Sequence, residues 1–505
     1  MKPDWCSRST RTCGVRGPVA NTGSGTNDTY LFKGKKMSEK KKLIEAKLPK
    51  GFQDQWGKTL SLRKKLLVAI EDNFKRYGFS ALSTSPMELS SVIGNSLSED
   101  ESNPMSDVFT FDEAGEKISL RYDLSLPLSR FYAQNYLTLP NPYKRYQIAE
   151  NVFRREKPGS GRYKAFGQCD CDIIGKFNST IANTELCNLI ASTLLNCGLK
   201  KGQFVINISN RKIIDGLLNQ LKITDQKQKQ KVLRAIDKLD KKNFGILGVT
   251  DLLREKRTDA SGAVTVGAKL SETQTSEIIS FLKIKDLKKL KSNLKDSLSQ
   301  EGIKETEDLL ENLRYGEYAD LINFSGKICR GLDIYSGFIV ETNLTFDVKN
   351  SKGKVIAPGS VASGGEYLVS KFKGDNFLGS GVSIGISRLT YCVEQLNQIK
   401  ADESKPVLIC VMDENLLPKY YEILNLLRKN NINSEIFLDS KKNLTKQLTY
   451  ANKRQLKIAL IVGGDEIKKN TVTIKNLLAP KGQENQSTVF MKDLIDEIKK
   501  VVKDN

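Results

Sequence analysis

The chain has 505 residues, enough for roughly three domains of ordinary size. Its 80 Lys plus Arg outnumber 59 Asp plus Glu, and a formal net charge of +21 attracts polyanions, among which nucleic acid comes first. The sequence contains no histidine, which excludes histidine-containing catalytic triads, His-ligated metals and imidazole acid–base catalysis. Any chemistry must use arginine, lysine, carboxylates, tyrosine, amides or the backbone.

The nine cysteines are scattered, and no C-x2-C pair has a second pair to match it. This pattern predicts neither a disulfide framework nor a zinc site, so we expect a reducing compartment and no protein-bound metal. No run of 18 uncharged apolar residues occurs, which excludes a membrane-spanning helix from the prediction.

Residues 1–47 are predicted to be a disordered or targeting extension. The first 36 residues are rich in Gly, Ser, Thr and Asn and lack hydrophobic periodicity, whereas Met37 opens a more ordinary sequence. We expect a cytoplasmic protein, with mitochondria as the alternative if 1–36 are a transit peptide. Three arginines in this segment favour that alternative, and interrupting Gly and Pro residues argue against it.

Apolar residues at three- and four-residue intervals predict an amphipathic helix over 58–79. Strand-like runs follow at 118–122, 145–154 and 164–175, and the Pro- and Gly-rich turns between them favour hairpins of an antiparallel sheet. Lys-rich helical sequence then runs from about 202 to 323. We interpret it as a helical insertion, because strand-like segments resume after it.

Those segments span 329–341, 355–369 and 377–386, and a helix is predicted over 387–396. From Pro406 strands and helices alternate as in a compact α/β domain, whose many lysines are typical of either a solvated face or a nucleic-acid surface. The predicted fold class is therefore α/β (α+β), an antiparallel sheet flanked by helices. The predicted divisions are an extension at 1–47, a main domain at 48–201 and 324–400, a helical insertion at 202–323, and a C-terminal α/β domain at 401–505.

One strand, FGQCDCDIIG (166–175), has a polar and an apolar face. Its two-residue period puts Cys169 and Cys171 on the apolar face, as small core residues rather than metal ligands. The polar face is either an ordinary solvated strand face or the wall of a site. Its residues are Phe166, Gln168, Asp170 and Asp172.

Three arginines, Arg154, Arg330 and Arg388, lie in or beside glycine-containing segments. Guanidinium groups suit phosphates and carboxylates because two N–H donors match two oxygens. Together with a carboxylate-bearing strand they indicate a pocket for an anionic, phosphorylated substrate, with solvated surface charge as the alternative. The glycines of 379–385 match neither a P-loop nor a dinucleotide fingerprint.

In chain order these segments resemble class II aminoacyl-tRNA synthetases, specifically histidyl-tRNA synthetases of the eukaryotic and archaeal type. The resemblance covers about 48–505. It is carried by LPKGF, TSPMEL, RYDLSLPLSRF, YQIAENVFRRE, FGQCDCDIIG, CRGLDIYSG, VASGGEY and GVSIGISRL, and by LLRKNNI, LTKQLTYANKRQLKIALIVGGDE and TVTIKNL in the C-terminal domain. The resemblance implies that this last domain binds the anticodon.

By position, the resemblance implies that Arg154 and Arg388 hold the ATP phosphates and that Glu156 and Phe166 place the adenine. Arg330 and Arg154 are the implied catalytic residues, with Arg330 over the reacting carboxylate and α-phosphate. Fixed guanidiniums stabilise such a transition state without a proton shuttle, so a histidine-free chain is able to do this chemistry. ATP implies Mg²⁺ held largely by phosphate oxygens, with no protein ligand named.

The resemblance also implies a histidine site and tRNA contacts. A carboxylate and a phenol would read the two imidazole nitrogens, one a donor and the other an acceptor. The implied contacts are Asp123, Ser125 and Gln168 to the α-amino group, Asp172, Tyr335 and Tyr367 around the ring, and Lys157, Arg162 and Lys164 to the tRNA acceptor end. The implied partners are tRNA(His) and a second copy of the chain, as a homodimer.

Five features depart from the family pattern. Glu366 replaces an arginine beside the pocket, Ser387 replaces an acidic residue, Ser125 stands where threonine is usual, Ile334 replaces a tyrosine, and an Asp-Gly pair after Tyr367 is absent. The leading hypothesis is ATP-dependent activation of histidine and transfer to tRNA(His). The alternatives are a catalytically inactive paralogue that senses histidine or tRNA, and a relative with another amino-acid specificity.

Overall fold

The computed structural model describes residues 44–93, 107–239, 244–258, 264–328, 335–369, 377–399, 405–479 and 485–503. Residues 44–48 contain no helix or strand, and everything below concerns the unit from Pro49 onward. Within the described residues, no helix is long and apolar enough to cross a membrane. The predicted extension 1–47 lies almost wholly outside the described residues.

An eight-stranded mixed sheet forms the centre of the main domain, in the strand order β1-β5-β6-β15-β14-β11-β7-β10. All its pairs are antiparallel except those of the two edge strands, β1 with β5 and β10 with β7. In chain order its strands are β1 (Ser80–Ala81), β5 (Tyr143–Phe153), β6 (Ala165–Gly175), β7 (Phe204–Asn210), β10 (Ile322–Phe324), β11 (Tyr335–Leu344), β14 (Ala362–Leu368) and β15 (Leu378–Ile384).

Smaller strands complete this part of the chain. A separate three-stranded antiparallel sheet has the order β2-β4-β3, so the predicted strand at 118–122 belongs to it and not to the central sheet. Two hairpins pair β8 with β9 and β12 with β13. The strands are β2 (Met87–Leu89), β3 (Thr110–Glu113), β4 (Glu116–Leu120), β8 (Lys256–Thr258), β9 (Val264–Val266), β12 (Val348–Lys349) and β13 (Val355–Ile356).

Helices cover one face of the central sheet and form the main core with it. The predicted amphipathic helix is α1 (Gly57–Arg76), and its buried Leu66, Ile70 and Phe74 pack against that core. The other helices of this layer are α4 (Ser179–Asn196) and α11 (Ile386–Glu394), while α2 (Ser90–Ile93) and α3 (Ser125–Asn135) lie near the small sheet.

The described residues of the helical insertion include a separate core of 21 buried apolar side chains. The strands β7 and β10 fall inside the predicted range 202–323 and pair in the central sheet. The three residues of β10 leave little pattern in the sequence, and the partners of β7 lie far away in the chain. We therefore propose that the insertion spans about 211–321, with the helices α5 (Arg211–Gln220), α6 (Gln226–Ile236), α7 (Gly245–Arg254), α8 (Glu272–Lys283), α9 (Leu287–Asn293) and α10 (Ser297–Arg314).

The C-terminal segment forms a five-stranded sheet in the order β17-β16-β18-β19-β20, with helices against it. The strand β20 (Gln486–Phe490) was not predicted, because its polar, exposed sequence at the sheet edge lacks an alternating apolar pattern. The remaining elements are β16 (Val407–Ile409), α12 (Leu417–Lys429), β17 (Ser434–Ile436), α13 (Leu444–Lys453), β18 (Ile458–Ile461), α14 (Gly464–Lys468), β19 (Thr471–Asn476) and α15 (Leu494–Lys503).

Candidate active site

A cavity of about 240 Å³ opens beside β6, β14 and β15, and nine of the predicted site residues line it. They are Asp123, Ser125, Arg154, Glu156, Arg162, Phe166, Gln168, Tyr335 and Arg388. These residues come from parts of the chain as far apart as Asp123 and Arg388. The polar face of β6 is therefore the wall of a site and not a solvated strand face, while Cys169 and Cys171 are fully buried in the core as predicted.

Four of the predicted residues that the structure describes are not in the cavity lining. Asp172 and Tyr367 are buried next to the cavity, where the Tyr367 hydroxyl donates to Asp172 Oδ1 at 2.7 Å. Lys157 is exposed, and the backbone carbonyl of Lys164 accepts from Arg154 N at 2.9 Å. Arg330 and Ile334 lie outside the described residues.

Arg154 follows β5 and lies between two aromatic rings. Its guanidinium carbon is 4.2 Å from the centroid of Tyr122 and 5.3 Å from that of Phe166, and its Nε donates to Tyr122 O at 3.1 Å. Rings on two sides fix a guanidinium plane without consuming all of its N–H donors. The 3.5 Å contact between Arg154 Nη1 and Glu156 Oε1 is a long ion pair that leaves Arg154 able to accept a stronger anion.

Arg388 lies in the first turn of α11, where its charge is only partly compensated by Glu156. Its Nη1 donates to Ser360 O, and its buried Nε has no hydrogen-bond partner among the described residues. Burial, together with the positive charges of Arg162 and Arg154, lowers the pKa of Arg388 to about 10. The guanidiniums of Arg388, Arg162 and Arg154 repel one another. Together they form a site where a polyanion would bind favourably.

The other part of the lining carries carboxylates and acceptors. Asp123 Oδ1 accepts from Leu126 N at 3.0 Å, and burial raises the pKa of Asp123. Burial and the charges of Asp172 and Asp123 raise the pKa of Asp170 to about 7. An acceptor-rich wall with weakly compensated carboxylates suits a ligand that brings N–H donors or a positive charge.

Arg145 joins this wall to the sheet and was not among the predicted site residues. It is fully buried on β5, directly opposite Asp172 on β6, and its Nη2 is 2.6 Å from Asp172 Oδ2. Desolvation raises the pKa of Asp172, and the Arg145 charge opposes that rise. The sequence did show an arginine inside a predicted strand, which is unusual for a buried position. Its partner could not be predicted, because that depends on the register of β5 against β6.

The glycines of β15 provide room for this network. A Cβ at Gly381 would lie 2.0 Å from Asp172 Oδ1, and one at Gly379 would lie 2.5 Å from the ring of Tyr367. The role of these two glycines is therefore close packing of strand against side chain, which agrees with their mismatch to phosphate-binding fingerprints.

Two of the unusual residues have structural roles. Ser387 Oγ accepts from the backbone N–H of Gly167 at 2.9 Å, so the helix that carries Arg388 also holds β6 between Phe166 and Gln168. Glu366 points to the opposite side of the sheet from Tyr367, where Asn183 donates to it at 3.2 Å. The reversed charge of Glu366 therefore does not enter the cavity.

Replacing Asp170 with asparagine is expected to stabilise the fold in a pH-dependent way. Because the pKa of Asp170 is about 7 in the folded chain and about 3.9 when unfolded, the wild type loses stability as pH rises from about 4 to 7. The groups that face Asp170 are the charged Asp172, Arg145 and Asp123 and the hydroxyl of Ser383. Asparagine does not ionise. The free energy of unfolding of the variant should therefore equal that of the wild type near pH 4 and exceed it by on the order of 2–4 kcal/mol at pH 8.

Denaturant unfolding of both proteins at several pH values checks this prediction. Glu422→Gln is the control, because this carboxylate on α12 is 63% exposed and its replacement should leave the pH dependence of stability unchanged. A stability difference for Asp170→Asn that does not change with pH would contradict the prediction.

Comparison with known proteins identifies the family of most of the chain. Residues 51–389 match the family profile described as "Histidyl-tRNA synthetase", and residues 406–501 match "Anticodon binding domain". The "Histidine--tRNA ligase" of Pelagibacter ubique is 60% identical over 92% of this chain and all of its own length, and that of Ruegeria pomeroyi is 38% identical over 86% and 90%.

Among solved structures, a histidyl-tRNA synthetase from Nostoc sp. PCC 7120 superposes with a TM-score of 0.69 at 26% identity, covering 91% of this chain and all of that one. The predicted fold class is thereby confirmed, as is the predicted family. The chain belongs to the histidyl-tRNA synthetase family.

Proposed function

We propose that this chain activates histidine with ATP and transfers the histidyl group to tRNA(His). The observation that carries the proposal is a single cavity lined on one part by three mutually repelling guanidiniums and on another by Asp123, Gln168 and Asp170. A polyphosphate suits the first part and an ammonium-bearing amino acid suits the second. The relatives compared above are both named histidine--tRNA ligase, which agrees with this assignment.

In the first step a carboxylate oxygen of histidine attacks the α-phosphorus of ATP, the bond to the β-phosphate oxygen breaks, and pyrophosphate leaves. Arg154 and Arg388 are placed to hold the phosphates, and the ring of Phe166 offers a face for the adenine beside Glu156. Positioned cations stabilise the charge that develops in this transfer, and no proton has to move. We propose that Arg330 adds a further guanidinium over the reacting carboxylate.

We propose that Asp123, Ser125 and Gln168 bind the α-ammonium group and that Tyr335 lies beside the imidazole. Asp172 and Tyr367 hydrogen-bond each other next to that place and shape its wall. A wrong side chain would leave these buried polar groups without partners, which is how hydrogen-bonding sites discriminate.

In the second step a terminal ribose hydroxyl of tRNA attacks the carbonyl carbon of the adenylate, and AMP leaves. We propose that the loop with Lys157, Arg162 and Lys164 contacts the acceptor end, since Arg162 reaches from that loop into the cavity lining. The formal charge of +21 supplies the phosphate attraction on which such affinity depends.

Mg²⁺ is proposed to enter with ATP and to be held largely by phosphate oxygens, which are the hard ligands that this ion prefers.

A cytoplasmic location is proposed because six cysteines of the described residues are buried free thiols, as expected in a reducing compartment. The eukaryotic and archaeal type stays a prediction from the sequence motifs, since the relatives compared above are bacterial.

A homodimer is proposed because the small sheet β2-β4-β3 exposes an apolar face. Leu89 is paired with Ile118, and Ile118 with Phe111, while Met87, Leu89 and Phe111 are 50%, 42% and 40% exposed.

We expect Leu89→Lys to shift the protein from dimer to monomer in sedimentation velocity, because a lysine cannot be buried unpaired in an apolar interface. Val68→Lys is the control, as an exposed apolar residue on α1 away from that sheet. A variant that sediments like the wild type would place the dimer contact elsewhere.

The proposed activity is tested by ATP–pyrophosphate exchange with each of the twenty amino acids, followed by aminoacylation of tRNA(His). Exchange with histidine alone is expected. Exchange with another amino acid would overturn the specificity, and absence of exchange in a folded chain would support the inactive paralogue. The positions of Glu366 and Ser387 favour the active enzyme, because neither disturbs the cavity.

A further inference from the structure

We propose that Tyr391 on α11 is a positioning residue, which holds the loop between β5 and β6 so that Arg162 stays beside the cavity for transfer to tRNA. This role rests on the proposed function and deepens it, since Tyr391 itself does not line the cavity. Arg162 is exposed and lines the same cavity as Arg388. Burial lowers the pKa of Arg388, and the positive charge of Arg162 lowers it further. Like charges repel, so contacts of the loop must keep Arg162 in place.

The loop, residues 154–164, ends in a tight hairpin at 159–162. The backbone N–H of Gly159 donates to the carbonyl of Arg162, and that of Arg162 donates to the carbonyl of Gly159, both at 3.0 Å. Gly161 at the tip has a φ of +69°, a conformation that residues with a side chain rarely adopt. These hydrogen bonds fix the shape of the hairpin, but they do not fix its place against the rest of the domain.

The ring of Tyr391 supports the tip of this hairpin. A Cβ built on Gly161 would lie 3.3 Å from Cδ1 and 3.4 Å from Cγ of Tyr391, so the ring packs directly on the glycine backbone. Gly161 is buried there, whereas Gly159 and Arg162 on either side of the tip are exposed. The hairpin therefore rests on Tyr391 at its one buried residue.

Tyr391 is itself fixed on its other side. Its hydroxyl donates to the carbonyl of Lys349 in β12 at 2.8 Å. Gln395 holds the same residue, since it accepts from Lys349 N at 2.7 Å and donates to Lys349 O at 2.9 Å. Arg388 lies one turn earlier on α11, so a single helix carries both a phosphate-binding arginine and the support of the loop. A side chain locked in this way is able to set the position of the group that it contacts.

Two variants of Tyr391 separate the ring from the hydroxyl. Tyr391→Leu removes the ring, whereas Tyr391→Phe keeps it, and the Lys349 carbonyl still accepts from Gln395. We expect Tyr391→Leu to lower kcat/KM for tRNA in aminoacylation by about ten- to a hundredfold, the loss that a misplacement of about 1 Å produces. ATP–pyrophosphate exchange with histidine needs no tRNA and should change less than about threefold, because Arg154 and Arg388 keep their places. Tyr391→Phe should stay within about threefold of the wild type in both reactions.

Amide hydrogen exchange of the full chain, measured by mass spectrometry, reports the loop directly. In Tyr391→Leu the segment 157–164 should exchange faster than in the wild type, because the paired N–H groups of Gly159 and Arg162 open more often. Exchange in the strands β5 and β6 should stay unchanged, which a general loss of stability would not allow. Tyr315→Leu is the matched control, since Tyr315 is 83% exposed at the end of α10 and the substitution is the same.

Three results would overturn the proposal. Equal losses of pyrophosphate exchange and aminoacylation in Tyr391→Leu would mean that Tyr391 acts through Arg388. Unchanged aminoacylation, or unchanged amide exchange of 157–164, would mean that the ring does not hold the loop for tRNA. A loss in Tyr391→Phe as large as that in Tyr391→Leu would assign the effect to the hydroxyl and not to the packing on Gly161.

Failure of the proposed function gives a different pattern. A wild type that does not aminoacylate tRNA(His) would overturn that function. Amide exchange of 157–164 and the affinity for tRNA in filter binding would then still decide the role of Tyr391, with both expected to change in Tyr391→Leu and neither in Tyr391→Phe.

Discussion

Replacing Arg388 with alanine is expected to lower the rate of ATP–pyrophosphate exchange at least about a thousandfold, which corresponds to on the order of 4 kcal/mol of transition-state stabilisation. Arg388 is buried and near two other guanidiniums, and its Nε has no partner among the described residues. Its charge is therefore poorly compensated until a polyanion arrives. Negative charge on the phosphates grows in the transition state, so most of the loss should fall in the rate and less in the KM for ATP.

Arg388→Lys should recover little of this activity, because an ammonium group cannot reproduce the two-pronged geometry of a guanidinium. Arg314→Ala is the control, since Arg314 is 74% exposed and forms an ion pair with Glu311 in the same helix. Thermal stability offers an independent measurement. Removing a buried charge without full compensation should leave the unfolding midpoint of Arg388→Ala equal to or above that of the wild type. A large loss of stability, or exchange within tenfold of the wild type, would contradict the assigned role.

Much of the site was predictable because it lies on elements with strong local patterns. The two-residue period of 166–175 separated the polar residues from the core cysteines, and the structure places both sets as predicted. Alternation also explains Glu366, because neighbours on a strand face opposite sides and Tyr367 faces Asp172. The family motifs then supplied the roles that residue patterns alone left open.

What the sequence did not predict depends on pairing between distant segments. The opposition of Arg145 and Asp172 requires the register of β5 against β6, and a strand pattern gives a face but not a partner. Likewise, the hydrogen bond from the Tyr367 hydroxyl to Asp172 joins two residues that are 195 positions apart in the chain. The extent of the insertion also depends on such pairing, since β7 and β10 join the central sheet through strands elsewhere in the chain.

The second large effect is expected at the buried ion pair of Arg145 and Asp172. Arg145→Met should lower the free energy of unfolding by about 3–5 kcal/mol, because Asp172 is left 2% exposed without its cation. Asp172→Asn should have a cost of similar size, since it leaves a fully buried guanidinium uncompensated while keeping an acceptor for Tyr367. Denaturant unfolding at neutral pH measures both.

The double variant Arg145→Met with Asp172→Asn separates stability from function. It removes both charges, so it should be more stable than either single variant, with a coupling energy of at least about 2 kcal/mol. The KM of the double variant for histidine should nevertheless be higher than that of the wild type, because a fixed charge pair no longer holds the cavity wall next to Asp170. Strictly additive effects on unfolding would show that the 2.6 Å contact contributes no pairwise energy. A double variant with normal KM for histidine would show instead that the ion pair serves the fold alone, and that the cavity depends only on Asp170 and the residues lining it.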